Sequence, residues 1–382
     1  MDFNWTEAQL ARKQEVIDFV NSALNDDPAE LDKQSAFPAA SWQKCADFGL
    51  QSMSVPEAFS GRPDTDFLTA LLAMEGFGYA CLDNGLAFAL NAQMWTSQLP
   101  LVHAGTEEQK QKYLPGMSSG KIIGCHAMTE PDSGSDAYAL QTTAIKTNDG
   151  YVLNGHKCFV SLAPIADLAL ICATVDPSLG KWGISIFLVD TKTAGCEVSL
   201  NREKLGLRSV PFGDIVLNDC VVPAESLLGA EGAGVSLSNS FLEWERCCIL
   251  ASQLGAMTRQ LEDTIRHARE RKIGNQSIGK FQSVSNRIVD MKLRLETAQL
   301  LLYKVAWLKS NGKNALTEAA LLKLHISESF TESSLDALRI FGGYGYLSDH
   351  NAGRDLRDSI GGLIYAGTSD IQKNIVARML GL

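Results

Sequence analysis

Cys125-His126-Ala127-Met128-Thr129-Glu130-Pro131-Asp132-Ser133-Gly134-Ser135-Asp136 divides the chain: upstream of it the residues read as helices, and downstream of it as strands. Pro131 has no N–H and halts a ladder or helix, and Gly134 lets backbone approach a ligand where a side chain would collide. Thr129, Ser133 and Ser135 are expected to turn their hydroxyls toward that ligand. Taken alone, such a stretch is a turn decorated with Ser and Asp. Its meaning comes from the segments on either side.

Upstream, Thr6-Glu7-Ala8-Gln9 has the form of a capping box, and Leu10, Val16, Ile17, Val20 and Leu24 come after it at helical spacing. A second helix is expected from near Ser41 and a third from Thr69 through Tyr79, with a turn from Val55 to Gly61 between them. Thr106-Glu107-Glu108-Gln109 is another box, opening a short helix that Pro115 and Gly116 are expected to close. Residues 1–120 therefore read as an N-terminal helical domain.

Downstream the period becomes two. Asn148-Asp149-Gly150 and Asn154-Gly155 read as hairpin turns around Tyr151-Val152-Leu153, and Leu168 to Cys172, Ile184 to Val189 and Ile215 to Leu217 read as strands. With no helices between them, these strands pair antiparallel, so residues 121–232 form a sandwich or barrel. No G-x-G-x-x-G follows a strand, which excludes a nicotinamide-binding unit. Beyond a glycine-rich hinge, Gly229 to Gly234, helical spacing returns over Ser236 to Lys272, Phe281 to Ser310, Thr317 to Phe341 and Ser369 to Leu380. Residues 233–382 are thus expected to form an antiparallel four-helix bundle, and the whole is an α+β multidomain chain.

Of 382 residues, 45% are apolar, ample for two or three cores. A net charge of -10 argues against nucleic acid and anionic membranes as partners and leaves small molecules or proteins. Nine cysteines, an odd number without a C-x-x-C pair, read as reduced thiols, with no disulfide or metal framework. Residues 1–30 carry acids throughout and no unbroken apolar run, so neither a signal peptide nor a membrane span is expected, and the location is expected to be cytoplasmic.

The helical, β, helical order and the stretch T-E-P-x-S-G-S-D together resemble the acyl-CoA dehydrogenase family, whose flavin-binding segment reads T-E-P-x-A-G-S-D. Further motifs agree in order. Gly155-His156-Lys157-Cys158-Phe159-Val160-Ser161 is similar to N-G-x-K-x-W-I-T, with Phe159 for the Trp that shields the flavin and Ser161 for the Thr beside its N5. Lys204 to Arg208 and Asp219 to Pro223 resemble two scaffold landmarks, K-L-G-x-R and D-x-x-V-P. Glu270-Arg271 begins a segment that in the family presents Arg to the pyrophosphate of a neighbour's FAD, here with Gly274-Asn275 in place of Phe-Gly. Arg339-Ile340-Phe341-Gly342-Gly343-Tyr344-Gly345-Tyr346 matches Q-I-F-G-G-x-G-Y with Arg for Gln, and Arg357-Asp358 and Thr368-Ser369-Asp370-Ile371-Gln372 complete the set. The resemblance extends from about Thr106 to Arg378. It implies FAD held by Met128, Thr129, Gly134, Ser135, Phe159, Ser161, Thr368 and Ser369, with Arg271, Arg339, Gly342 and Gly343 serving a neighbouring subunit in a homotetramer.

Many family members place a Glu in the last loop, Y-E-G-T-S, to remove the proton alpha to a thioester. Here that loop is Tyr365-Ala366-Gly367-Thr368-Ser369, and an Ala takes no proton. Other members carry the Glu on an early bundle helix in an L-x-x-E-R context. Leu242-Glu243-Trp244-Glu245-Arg246 supplies it at Glu245, while Glu243 lies about 200° round the helix and is the weaker candidate. The Ala366 N–H and Gly367 remain available to the substrate carbonyl.

The resemblance then implies FAD-dependent oxidation of an acyl thioester, with dioxygen or an electron-transfer flavoprotein as acceptor. Ala366 together with Glu245 resembles the subgroup that oxidises prolyl groups on a carrier protein to pyrroline thioesters in natural-product pathways. The alternatives are a short or branched-chain acyl-CoA dehydrogenase and, in another class, a non-catalytic flavoprotein that binds an acyl carrier. An acidic carrier would need a basic patch, for which Arg266, His267, Arg269, Arg271 and Lys272 form a candidate cluster.

Overall fold

The computed structural model describes residues 5–63 and 65–382, apart from the side chain of Glu243. The N-terminal helices are α1 (Glu7–Ala23), α2 (Pro28–Gln34), α3 (Ala39–Phe48), α4 (Phe67–Ala80) and α5 (Asn84–Asn91). A π-helical segment, Ala92–Gln98, then leads into α6 (Leu99–Ala104) and α7 (Glu107–Ser118). Both capping boxes close. Thr6 Oγ1 accepts from the Gln9 N–H at 3.2 Å while Gln9 Oε1 accepts from the Thr6 N–H at 3.0 Å, and Thr106 and Gln109 repeat the pair ahead of α7. Pro115 and Gly116 do not end α7 as expected but lie inside it. Continuing to Ser118 seats Leu114 and Met117, both fully buried, and Gly116 O then accepts the Lys121 N–H at 2.9 Å.

The central strands are β1 (Gly124–Ala127), β2 (Thr143–Thr147), β3 (Gly150–Ser161), β4 (Leu168–Thr174), β5 (Ile184–Asp190), β6 (Cys196–Val198), β7 (Phe212–Pro223) and β8 (Leu227–Leu228). They form one sheet in the order β6-β7-β3-β2-β4-β5-β8, with β1 added against β4. Pairing is antiparallel except where β1 runs parallel to β4 and where Thr143 meets Thr174 in parallel. Asn148-Asp149 makes the expected hairpin, since Thr147 faces Gly150. Asn154-Gly155 does not turn the chain. It is a bulge within β3, and a side chain on Gly155 would put its Cβ 2.3 Å from Thr142 Oγ1.

The C-terminal part contains α8 (Gly234–Glu270), a small hairpin of β9 (Lys272–Ile273) and β10 (Gln276–Ser277), then α9 (Gln282–Ser310), α10 (Leu316–Phe341), α11 (Asn351–Gly362) and α12 (Ser369–Met379). Four of these helices were expected; α11 was not. α8 crosses α4 so closely that a Cβ on Gly255 would lie 2.0 Å from Glu75 O, which merges the N-terminal helices and the bundle into one core around Phe77, Leu71 and Leu254. A second core, with Leu170, Ile186, Leu114 and Phe241, joins the sheet to α7 and the start of α8. Eight of the nine cysteines are buried, seven of them within these cores. Among the described residues no helix is long and apolar enough to cross a membrane.

Candidate active site

The loop from Met128 to Thr142 leaves β1 and returns as β2, and a buried ion pair clamps both of its ends. Lys157, fully buried on β3, donates to Glu130 Oε1 at 2.7 Å and to Met128 O at 3.1 Å. Glu130 also accepts from the Gln141 N–H at 2.6 Å and the Thr142 N–H at 2.9 Å. Burial works to raise the Glu130 pKa, but the hydrogen bonds from Lys157, Thr142 and Gln141 outweigh it and hold the carboxyl below its usual range. The Glu of the T-E-P stretch is therefore a fastener. Ser133 is turned inward, donating to Asp136 O at 2.7 Å, and does not face the open side as expected. Gly134 and Ser135 are exposed, and Met128 and Thr129 are half-buried.

Phe159 lies on the same side of the molecule, because Cys158 N–H donates to Thr129 O at 2.9 Å. Its backbone is left-handed, φ +59°, at a second bulge between Lys157 and Val160, and its ring is 56% exposed. A bulky residue at positive φ stores strain, and more than half of this aromatic is left uncovered by the fold. Phe212, 6.1 Å away and nearly parallel, backs the ring from one side, and the Arg202 guanidinium stands 5.9 Å from its centroid. Ser161 closes β3 opposite Phe212, half-buried.

Glu245 is half-buried on α8, three turns into the helix. Burial pushes its carboxyl up to about 7, against the pull of Arg246 and Lys323. The last loop comes to it through Arg246, whose Nε donates to Ala366 O at 3.3 Å. Ala366 and Gly367 both take positive φ, +53° and +90°, and Gln372 Nε2 fixes this bend by donating to both of their carbonyls at 3.0 Å. Thr368 caps α12, and Ser369 Oγ is buried without a partner. Tyr365 OH accepts from Gln253 Nε2 at 2.6 Å. Gln253, Lys323 and the role of Gln372 escaped sequence reasoning, since a polar side chain on a helix ordinarily reads as solvated. Glu243, the second carboxylate considered, has its side chain outside the described residues.

Arg271, Arg339, Gly342 and Gly343 are brought together, but elsewhere. With His267, Phe281 and others they line an open cavity of about 790 Å³, and nothing lies within 4 Å of a Cβ built on either glycine. Along α8 this cavity is about 38 Å from Glu245, at ~1.5 Å per residue. One small molecule does not touch both groups within one chain. The basic cluster from Arg266 to Lys272 stands at that same far end, with Arg266 paired to Asp263, so it does not flank the approach to Glu245 of its own subunit.

Three acyl-CoA dehydrogenase domains match the chain in order: the N-terminal domain at residues 6–121, the middle domain at 125–220 and the C-terminal domain at 232–381. An L-prolyl-[peptidyl-carrier protein] dehydrogenase of Pseudomonas fluorescens is 42% identical over 100% of both chains. The crystal structure of the prolyl acyl carrier protein oxidase AnaB superposes with a TM-score of 0.97 at 46% identity, covering 99% of this chain and 100% of that one. The structure of PigA with FAD and proline gives 0.97 at 38% identity, with both chains covered completely. Matched from end to end by these domains and relatives, the chain belongs to the acyl-CoA dehydrogenase family.

Proposed function

We propose that this protein is an FAD-dependent oxidoreductase that removes a pair of hydrogens from an acyl thioester, the acyl group being a prolyl residue on a carrier protein and the product a pyrroline thioester for natural-product biosynthesis. The observation that carries this reading is a last loop whose own position for a base is Ala366, held against α8 by Arg246, the neighbour of Glu245. Prolyl carrier proteins are named for two of the relatives that match this chain end to end, at 42% and 46% identity.

The residues present fit FAD. An outward-turned, strained Phe159, a buried Ser369 hydroxyl without a partner, and a cavity where two glycines leave room and two arginines supply charge are features a flavin dinucleotide would use. Met128, Thr129, Gly134, Ser135, Phe159, Ser161, Thr368 and Ser369 would hold it in one subunit, and Arg271, Arg339, Gly342 and Gly343 would reach it from the next. Bound FAD supplies the two-electron acceptor. Glu245 takes the α proton, and a carboxyl raised to about 7 by burial is basic enough to do so while remaining largely ionised just above neutrality. The Ala366 N–H donates to the thioester carbonyl, stabilising enolate charge as it develops, with Gly367 beside it. Ala366 also leaves space next to the α carbon that a Glu would fill, which suits a cyclic acyl group.

The units of this enzyme are residues 1–120, 121–232 and 233–382, working as a cytoplasmic homotetramer. Val289, Leu293 and Leu300 on α9 and Met379 and Leu380 at the end of α12 are large, exposed and apolar, as surfaces covered in an assembly are. The final electron acceptor is dioxygen or an electron-transfer flavoprotein. A competition between prolyl-loaded carrier protein and isovaleryl- or butyryl-CoA, read by mass spectrometry with each acceptor in turn, tests the substrate. Loss of hydrogens from the prolyl group is expected. Turnover of the CoA esters with an untouched prolyl carrier would refute it, and tight carrier binding without flavin bleaching under anaerobic conditions would leave a binding protein.

A further inference from the structure

Lys323 is a charged side chain at a place where charge is costly. It stands on α10, fully buried, and its ammonium donates to Gly362 O at 2.6 Å, in the last turn of α11. Lysines are almost never fully buried unless something holds the charge there. Gly362 is also where the chain leaves α11 for Tyr365-Ala366-Gly367, and the same ammonium lies 6.0 Å from the centroid of the Tyr365 ring. One donor therefore fixes the start of the loop whose far side Arg246 and Gln372 fix.

We propose that Lys323 is a positioning residue for this oxidation: from α10 it anchors the substrate-facing loop through the Gly362 carbonyl and holds a positive charge beside Tyr365, in the loop that Arg246 ties to the helix of Glu245. The proposal rests on Glu245 as the base. Among the described residues, the groups acting on Glu245 are Arg246 on its own helix and Lys323 from α10, while Tyr365 from the loop and Cys248 from α8 feel its charge in turn. Lys323 in turn faces Arg246, Glu245 and Glu328. Burial raises the carboxyl, and a base kept protonated accepts nothing. Two cations are arranged against that tendency. Arg246 also serves Ala366 O, whereas the Lys323 charge can be removed as Gln while a donor to Gly362 O is kept. Burial brings the Lys323 ammonium down to about 8, so it still carries its charge in the range where Glu245 must ionise.

The experiment is a pH titration of the Glu245 carboxyl by infrared difference spectroscopy in the FAD-bound protein, with the pH profile of flavin reduction by prolyl carrier protein measured alongside. Glu245→Gln identifies the band. Lys323→Gln keeps a donor for Gly362 O without the charge, Lys323→Met removes both, and Lys323→Arg keeps both. In Lys323→Gln and Lys323→Met the carboxyl should titrate about one unit higher, making reduction below neutrality about tenfold slower. Lys323→Arg should titrate like the wild type. An unshifted carboxyl in Lys323→Gln and Lys323→Met overturns the proposal, as does an equal shift in Lys323→Arg or the failure of all three to fold, which would make Lys323 a packing residue. If Glu245→Gln still reduces its flavin, it is the base assignment that fails instead.

Discussion

A carboxylate that takes a proton from carbon must be ionised, yet dry enough to be basic. Glu245 satisfies both because burial lifts it to about 7 while Arg246 and Lys323 stop the rise there. Flavin reduction should therefore increase with pH through about 7 and level off above it, as the carboxyl becomes the base. Glu245→Gln should keep the bound-flavin spectrum and lose roughly 10²–10⁴ in the rate of reduction, the usual worth of a general base, while Glu243→Gln stays within a few-fold of wild type. Stopped-flow mixing with substrate decides it, and the opposite pattern would move the role to Glu243. As a candidate base, Glu245 was legible in the sequence because Ala366 occupies the commoner position. Lys323 was not, since a lone lysine at helical spacing looks solvated until the fold closes over it.

Among elements, α11 shows most plainly how a helix can be unreadable and still central. Its buried residues include Arg354, Asp355, Asp358 and Ser359, glycines interrupt it at Gly353, Gly361 and Gly362, and its large apolar residues Leu356 and Ile360 are only half-buried, so the face it turns inward is polar. What it buries is a polar junction between parts of the chain distant in sequence. Asp358 accepts from Leu207 N–H at 2.6 Å and from Asn84 Nδ2 on α5 at 3.1 Å, while Asp355 meets Arg259 of α8. The π-helical segment 92–98 was hidden differently, because the backbone stays helical from α5 into it with no cap to mark where α5 ends. The capping boxes of α1 and α7 were legible because each is local, complete within four residues. Burial raises Asp358 to about 7, with Asp355 and Asp83 adding to the rise and the Leu207 N–H and Asn84 bonds opposing it. A carboxyl with a raised folded pKa binds its proton more tightly folded than unfolded, so its contribution to stability is full below pH ~4 and is lost as pH rises toward 7. Replacing the carboxyl in Asp358→Asn should flatten that part of the stability curve. Urea unfolding at a series of pH values checks this, and an unchanged slope between wild type and variant would remove Asp358 from the account.

On the scale of the whole molecule, the length of α8 sets the organisation. It carries Glu245 near its start and delivers the Arg271 cavity at its end, about 38 Å away at ~1.5 Å per residue. If both ends serve catalysis, each must work with a different cofactor, and a complete site needs a second copy of the chain. Arg271 is exposed, lines the cavity with Arg339, and follows α8 directly, so removing its side chain leaves the cores untouched. Arg271→Ala should accordingly fold and melt close to wild type yet bind FAD at least about tenfold more weakly, the loss of a charge-assisted phosphate contact worth roughly 1.5–3 kcal/mol. The wild type should sediment as a tetramer with one flavin per chain. Flavin retention in Arg271→Ala, or a wild-type monomer that holds its flavin, would show instead that each chain completes its own site, and the cavity at the end of α8 would need another occupant.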